Sequence, residues 1–260
     1  MLCRTPYNVI GELFKKDLLI FFREYPGKFL DSLLLFFTTA VVFGYFMPSG
    51  LGNTYGPFVI LGAIGIFGFF EVIGKVHILL GDIEGDRTIQ HTLILPIRSE
   101  LVFIYMALFW ALCSIALSAP LLIFGKLFLW KSFSLSQIHW PKFIAILLTA
   151  NIFHGFFALW LTSVLKGLQD IGSLWFRVVN PLFMFGAYFY SWQTLYQFAP
   201  WLANLTLINP LVYVMEGVHG TALGESKYLP FSLCFAALWS FILVLGSHAI
   251  SGMKKRLDCV

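Results

Sequence analysis

Long runs of apolar residues, separated by short polar connectors, dominate the chain. The hydrocarbon core of a bilayer is about 30 Å thick, so one helical crossing needs roughly 20 apolar residues. Six runs approach that length, at residues 29–47, 57–80, 101–124, 143–165, 178–192 and 229–250. The fifth run is short, and charged residues interrupt the second. The pattern predicts an all-α membrane protein with six transmembrane helices in a domain over residues 29–251.

The stretch before the first run mixes charged and apolar residues. Between Val9 and Phe21 the apolar side chains share one broad face of a helix. Such a face is typical of a helix that lies in the membrane interface. We therefore predict a cytoplasmic interfacial helix over residues 1–28, in which Pro26 and Gly27 turn the chain into the first crossing. The alternative is a frayed basic leader.

The basic residues predict the orientation, because cytoplasmic connectors of membrane proteins are enriched in Lys and Arg. With six crossings and a cytoplasmic N-terminus, the inner side holds Arg4, Lys15, Lys16, Arg23, Lys28, Arg87, Arg98, Lys166, Arg177, Lys254, Lys255 and Arg256. The outer side holds Lys126, Lys131, Lys142 and Lys227. We expect a multi-pass protein of the cell (inner) membrane with both termini cytoplasmic and a cytoplasmic tail at residues 252–260. This asymmetry accounts for the net charge of +4, so no nucleic-acid partner is expected.

Residues 193–228, between the fifth and sixth runs, are moderately apolar and broken by Pro200 and Pro210. If this segment crossed once, the basic tail would lie outside, against the charge bias. We therefore predict two short re-entrant helices that enter and leave on the extracytoplasmic side, with a flat surface loop as the alternative. Asn209 and Pro210 break the segment, and Glu216 is expected near the outer end of a pathway, where it pairs or faces water.

The segment over residues 82–98 is the densest cluster of charge in a chain with only 12% charged residues. A helix here would end before Pro96, because proline disfavours the α conformation of the preceding residue. We predict a cytoplasmic coupling helix that docks on a soluble ATPase. Its contact residues would be Asp82, Glu84, Asp86, Arg87, Gln90 and His91. The alternatives are a solvated loop and a metal site formed by the three acidic residues.

Two opposite charges lie four residues apart inside the second run, Glu71 and Lys75. Charges near bilayer depth are costly and usually pair with each other. We predict an intramembrane polar pair, with a proton relay as the alternative.

The chain lacks the GxxxxGK[ST] motif that would be needed to bind ATP phosphates in a P-loop. Gly74-Lys75 and Gly125-Lys126 are the nearest dipeptides, and neither has the first glycine or the hydroxyl residue. We therefore expect no catalytic residues, no metal and no cofactor in this chain, with ATP and Mg bound by a partner ATPase. The absence of an internal repeat favours a homodimer as the route to a complete pathway.

Several motifs in the second half of the chain resemble those of the type-2 ABC exporter permeases. The first is Asn180-Pro181-Leu182-Phe183-Met184-Phe185-Gly186-Ala187-Tyr188-Phe189-Tyr190. Ala199-Pro200-Trp201 and Asn209-Pro210-Leu211-Val212-Tyr213-Val214-Met215-Glu216-Gly217-Val218 follow it. Tyr55-Gly56-Pro57-Phe58 and Leu95-Pro96-Ile97 also match the family's order of landmarks. The chain departs from the pattern at His219, where arginine is frequent, and at Ser191-Trp192, which replaces a frequent proline.

The resemblance implies the membrane subunit of an exporter that moves an amphipathic lipid, lipid-linked glycan or drug outward. It implies a homodimer, or a pair with a sister permease, that contacts membrane lipid and binds two copies of a cytoplasmic ABC ATPase subunit. Pathway or re-entrant residues would be Pro181, Phe185, Phe189, Asn209, Pro210 and Glu216. The alternatives are an intramembrane lipid-modifying enzyme that uses Asp82, Glu84 and Asp86 with a metal, and an ion-coupled carrier that uses Glu71, Lys75 and His154.

Overall fold

A computed structural model of the chain describes residues 6–47, 55–130 and 133–257. Within these ranges the structure is helical and has no strand. The α-helices are α1 Pro6–Val41, α2 Tyr55–Glu84, α3 Thr88–Leu93, α4 Ser99–Ser118, α5 Leu121–Phe128, α6 Trp140–Val164, α7 Ile171–Leu174, α8 Asn180–Met184, α9 Trp192–Phe198, α10 Pro200–Thr206, α11 Pro210–Leu223 and α12 Phe231–Arg256. The first five residues of the predicted interfacial helix, Lys131 and the last three residues of the predicted tail lie outside the described ranges.

Five helical segments of the described chain are long and apolar enough to cross a membrane. They are Asn8–Phe46, Tyr55–Glu84, Ser99–Phe128, Trp140–Val164 and Phe231–Arg256. The prediction of an all-α protein is thus confirmed in its general form, with several helices that are long and apolar enough to span a membrane. At the centre, α6 packs against α12, α4 and α2.

The fifth predicted crossing, residues 178–192, does not form one long helix. Helical backbone runs through α7, a π-helical turn at Trp175–Val179 and α8, and it ends at Met184. Residues 185–190 are turns and bends, and Ala187 has a positive φ of 62°. At 1.5 Å per residue, the helical run over residues 171–184 extends about 21 Å, which is less than one hydrocarbon thickness. The fifth predicted crossing is therefore not one uninterrupted helix, and the predicted count of six transmembrane helices is not confirmed.

The predicted break at Pro26 and Gly27 is also wrong, because α1 continues through both residues. Proline inside a helix loses one backbone hydrogen bond. Contacts on either side hold the segment helical against that loss. The Tyr25 hydroxyl donates to the Ala116 carbonyl at 3.1 Å, and the Lys28 ammonium contacts Glu71 at 2.8 Å. Whether the first half of α1 lies along a membrane surface stays a prediction.

The bundle has two ends, which we name after the termini of α2. At the Glu84 end, Arg256 donates from Nη1 to the Thr162 carbonyl at 2.6 Å and from Nη2 to that of Lys166 at 2.9 Å, so the ends of α12 and α6 lie together. The start of α4 joins them there, since Lys254 contacts Glu100 at 2.6 Å.

The Tyr55 end holds the opposite termini of the same helices. The backbone N–H of His139, just before α6, donates to the Thr221 carbonyl of α11 at 2.9 Å. Lys142 of α6 contacts Glu225 at 2.5 Å. Residues 221–225 therefore lie beside the start of α6.

Candidate functional site

The charged connector at the Glu84 end is divided between two helices. Asp82 and Glu84 are the last residues of α2, and the six-residue helix α3 follows a sharp turn. Arg87 makes that turn with a φ of 53°, in the left-handed region that residues other than glycine rarely adopt. The predicted coupling segment over residues 82–98 is therefore not one continuous helix, although a helix does end before Pro96.

Asp82 fixes the position of α3. Its Oδ1 accepts a hydrogen bond from the Thr88 backbone N–H at 2.8 Å and another from the Thr88 hydroxyl. Its Oδ2 accepts from the Ile89 N–H at 2.8 Å. A carboxylate at a helix start satisfies backbone donors that have no partner within the helix. The side chain of Asp82 therefore has an internal structural role, contrary to the prediction that it faces a partner.

Glu84 connects α2 to the loop after α6. Its Oε1 accepts a hydrogen bond from the Leu168 N–H at 3.1 Å. Gly167 lies so close that an added Cβ would overlap the same oxygen. Of the predicted coupling set only Asp82 is partly buried, whereas Glu84, Asp86, Arg87, Gln90 and His91 are exposed in or next to α3.

The acidic residues of the connector do not form a metal site in this conformation. Asp82 faces the start of α3, whereas Glu84 faces Leu168. Across the described ranges, no three His, Cys, Asp or Glu side chains are grouped as metal ligands would be. The arrangement thus gives no support to a lipid-modifying enzyme with these three ligands.

Glu71 and Lys75 belong to a chain of four charges. Glu71 Oε1 lies 3.8 Å from Lys75 Nζ but only 2.8 Å from Lys28 Nζ. Lys28 also contacts Glu24 at 3.0 Å. The Glu71 and Lys28 side chains retain 16% and 25% of their accessible surface, so the contact is largely shielded from water. The closer partner of Glu71 is thus on α1. The four-residue spacing within one helix could not predict this partner.

His154 is separate from this group. It is fully buried on α6 beside Phe69 and Phe153. Neither ring nitrogen has a hydrogen-bond partner among the described residues. The structure therefore does not join His154 to Glu71 and Lys75, as an ion-coupled carrier that uses all three would need.

Residues 193–228 form three short helices, α9, α10 and α11. Asn209 caps α11, because its Oδ1 accepts a hydrogen bond from the Leu211 N–H at 3.0 Å. Its Nδ2 donates to the Leu182 carbonyl at 2.7 Å, which ties the cap to α8. Pro210 is the first residue of α11, where its missing N–H costs little. The predicted break at Asn209 and start at Pro210 are confirmed.

Glu216 holds the two ends of this segment together. Its Oε1 accepts a hydrogen bond from the Trp192 N–H at 2.7 Å, and its Oε2 accepts from the Leu229 N–H at 2.9 Å. Trp192 and Leu229 flank residues 193–228, so the segment begins and ends at one carboxylate. The side chain is fully buried, so of the two expected states, paired or facing water, it does not face water. Burial and, to a smaller extent, this carboxylate raise the pKa of Tyr228 to about 12.

Four of the six predicted pathway residues line two different cavities. Pro181 and half-exposed Phe185 lie with Asn209 in an apolar groove of about 330 Å³ between α8 and α10. Phe189 lines a separate cleft of about 520 Å³ at the Tyr55 end, together with Tyr190. Pro210 and Glu216 are buried and line neither one.

Comparison of the chain with protein-family models, with curated proteins and with solved structures yields no match.

Proposed function

We propose that the chain is the membrane subunit of an ATP-driven exporter, which acts as a dimer and binds two soluble ATPase subunits at its Glu84 end. The observation that carries the proposal is the geometry of α3. Asp82 anchors this short helix rigidly to the end of α2, while Asp86, Gln90 and His91 remain exposed around it. A fixed, charged helix at the end of a bundle transmits displacement to the helices that hold it.

The anchoring of α3 extends to two long helices. Ile89 is buried in the core, and α3 packs against both α2 and α4. Glu84, next to the turn, also holds Leu168 after α6. A force on α3 would therefore reach α2, α4 and the loop after α6 together. This coupling supports a role in transmitting ATP-driven motion.

The proposal counts residues 168–189 as a crossing, which raises the number of crossings from five to six. This crossing is the fifth along the chain, and its helix is interrupted. The Leu168 N–H contacts Glu84 at one end of α2, and the Phe189 carbonyl accepts a hydrogen bond from the Tyr55 hydroxyl at the other, at 3.1 Å. Residues 168–189 thus extend along the whole of α2, whose 30 residues are about 45 Å long. Six crossings would leave both termini on the side of α3. The basic residues Lys254, Lys255 and Arg256 support a cytoplasmic position for that side.

The re-entrant arrangement of residues 193–228 is supported by their meeting ends. Trp192 and Leu229 bind the same carboxylate of Glu216, so the segment returns to where it began. Its outer surface is strongly apolar, with Phe198, Trp201 and Ile208 exposed by 83%, 71% and 72%. Lipid or a second copy of the chain would cover such a surface. We propose the second copy, because a bundle of this size without an internal repeat would form a pathway most simply by dimerising.

The deciding experiment measures ATPase binding and stimulation. The chain would be coexpressed with candidate ABC ATPase subunits, reconstituted in liposomes, and assayed for copurification and ATP hydrolysis. The variant Asp86→Lys with Gln90→Lys should weaken copurification at least tenfold, since charge complementarity determines docking. Glu225→Lys, at the opposite end of the bundle, is the matched control and should bind normally. Full binding by the α3 variant would refute the proposed interface.

A further inference from the structure

A groove of about 360 Å³ lies between α1, α2, α3 and α4 near the Glu84 end. Its walls are apolar, with Phe21, Ile78, Met106, Phe109 and Trp110 among the lining residues. Five charged side chains also line it, namely Lys16, Asp17, Glu24, Lys75 and Asp82. Apolar walls beside a group of charges match an amphiphile, with its hydrocarbon along the walls and its headgroup at the charges.

The charged residues other than Lys75 have close partners in the chain. Asp17 accepts a hydrogen bond from the Tyr105 hydroxyl at 2.7 Å and contacts Lys16 at 3.3 Å. Asp82 caps α3. Glu24 contacts Lys28 through Oε2 at 3.0 Å, and its side chain keeps 46% of its surface exposed.

Lys75 is the exception. Its Nζ lies 3.8 Å from Glu71 Oε1, an oxygen that already accepts a hydrogen bond from Lys28 at 2.8 Å. No other described residue forms an ion pair or a hydrogen bond with this ammonium group, although only 15% of the side chain is exposed. A shielded cation without a close acceptor favours an anionic ligand.

The depth of Lys75 fits a lipid phosphate. Roughly 20 residues counted from Pro57 place the inner edge of the hydrocarbon core near residue 76. Phosphate groups of the cytoplasmic leaflet lie at that level. The lining charges, two lysines against three carboxylates, leave one excess negative charge. This excess disfavours a purely anionic headgroup and favours one that also carries a cation.

We propose that the groove holds a resident phosphatidylethanolamine of the cytoplasmic leaflet. Lys75 binds its phosphate, Glu24 accepts a hydrogen bond from its primary ammonium, and its acyl chains lie against Met106 and Phe109. The lipid fills the gap between α1 and the rest of the bundle. The inference rests on the proposed orientation of the chain but not on the proposed export function.

The test is lipid analysis of the full chain by native mass spectrometry. The protein would be equilibrated in nanodiscs of equal parts phosphatidylethanolamine, phosphatidylcholine and phosphatidylglycerol, then released into detergent. We expect bound phosphatidylethanolamine to exceed each other lipid at least tenfold. Lys75→Gln should lower that occupancy at least tenfold, whereas Lys75→Arg and the exposed control Lys15→Gln should retain it. Glu24→Met, which removes both acceptor oxygens, should abolish the preference over phosphatidylcholine, whose quaternary ammonium cannot donate a hydrogen bond.

Several outcomes would overturn the proposal. These are a preference for phosphatidylglycerol, an absence of bound lipid in the wild-type chain, and full occupancy in Lys75→Gln. Loss of the lipid during ATP turnover by the reconstituted complex would identify a transported amphiphile and contradict residence. If Lys75→Gln does not fold, Met106→Trp, which fills the groove and keeps the cation, must exclude the lipid for the proposal to stand.

Discussion

Lys28 Nζ on α1 lies 2.8 Å from Glu71 Oε1 on α2, a full ångström closer than Lys75, which shares a helix with Glu71. This contact connects the poorly buried first helix to the core of the bundle. Two side chains 43 positions apart thus form the main ion pair of the network, with Glu24 and Lys75 on either side.

We predict that Glu71 is coupled to Lys28 more strongly than to Lys75. Each removal leaves a shielded charge without its partner. In a double-mutant cycle with glutamine substitutions, the Lys28–Glu71 coupling should be about 1–3 kcal/mol, below the roughly 3–5 kcal/mol cost of breaking a fully buried pair. The Lys75–Glu71 coupling should be smaller, about 0–1 kcal/mol. Free energies of unfolding in detergent measure both, and equal couplings would contradict the prediction.

Asp82 and Asp86 lie four positions apart, and we predict that only Asp82 stabilises α3. Asp82→Ala removes the cap of α3, a change that costs about 0.5–2 kcal/mol of local stability. Hydrogen exchange at the Thr88 and Ile89 amides should accelerate accordingly, by roughly two- to thirtyfold. Asp86→Ala removes an exposed carboxylate and should leave that exchange unchanged. Equal acceleration in both variants would show that the cap is not the anchor.

Glu216→Ala should destabilise the chain because it leaves the Trp192 and Leu229 N–H groups without an acceptor. Each unsatisfied buried donor costs about 1–3 kcal/mol. Glu216→Gln keeps one acceptor oxygen and should lose roughly half as much. The matched control is Glu225→Ala, an exposed residue whose contact with Lys142 contributes about 0–1 kcal/mol. Thermal unfolding followed by tryptophan fluorescence ranks the three variants. If Glu216→Ala leaves the stability unchanged, Glu216 does not hold the two ends of residues 193–228 together.

Gly155 lets α6 approach α4 closely. An added Cβ would overlap the backbone carbonyl of Ala107, which cannot move without shifting α4. Gly155→Ala should therefore destabilise by about 1–3 kcal/mol, as overpacking does in other cores. Gly74→Ala on α2 is the control, since nothing lies within 4 Å of its Cβ and alanine favours helix. Its stability should be unchanged or slightly higher in the same unfolding assay.

Local sequence rules predicted the features that depend on neighbouring residues. Asn209 and Pro210 begin a helix for reasons contained in the dipeptide itself, and the apolar runs predicted the long helices. The same rules failed where distant contacts decide the outcome. Tyr25 and Lys28 hold Pro26 within α1 through partners on other helices. Asp82 binds the start of α3, because the left-handed conformation of Arg87 turns the chain back toward it. The charge of Glu216 predicted a pair or contact with water near a pathway, but two backbone donors from distant positions bind it in the interior.

The topology of residues 193–228 can be tested by single cysteines in a background without Cys3 and Cys259. Because Trp192 and Leu229 meet at Glu216, residues near both ends should lie on one side of the membrane. Gln197 and Glu225 are exposed, so a thiol reagent that cannot cross the membrane should label both from outside the cell. Asn204 is exposed on α10 and should react more slowly if that helix enters the membrane. Gln90→Cys on α3 is the control and should react only after the membrane is opened. Labelling of Gln197 and Glu225 from opposite sides would mean a true crossing. That result would contradict the re-entrant arrangement, and with it the cytoplasmic position of the tail.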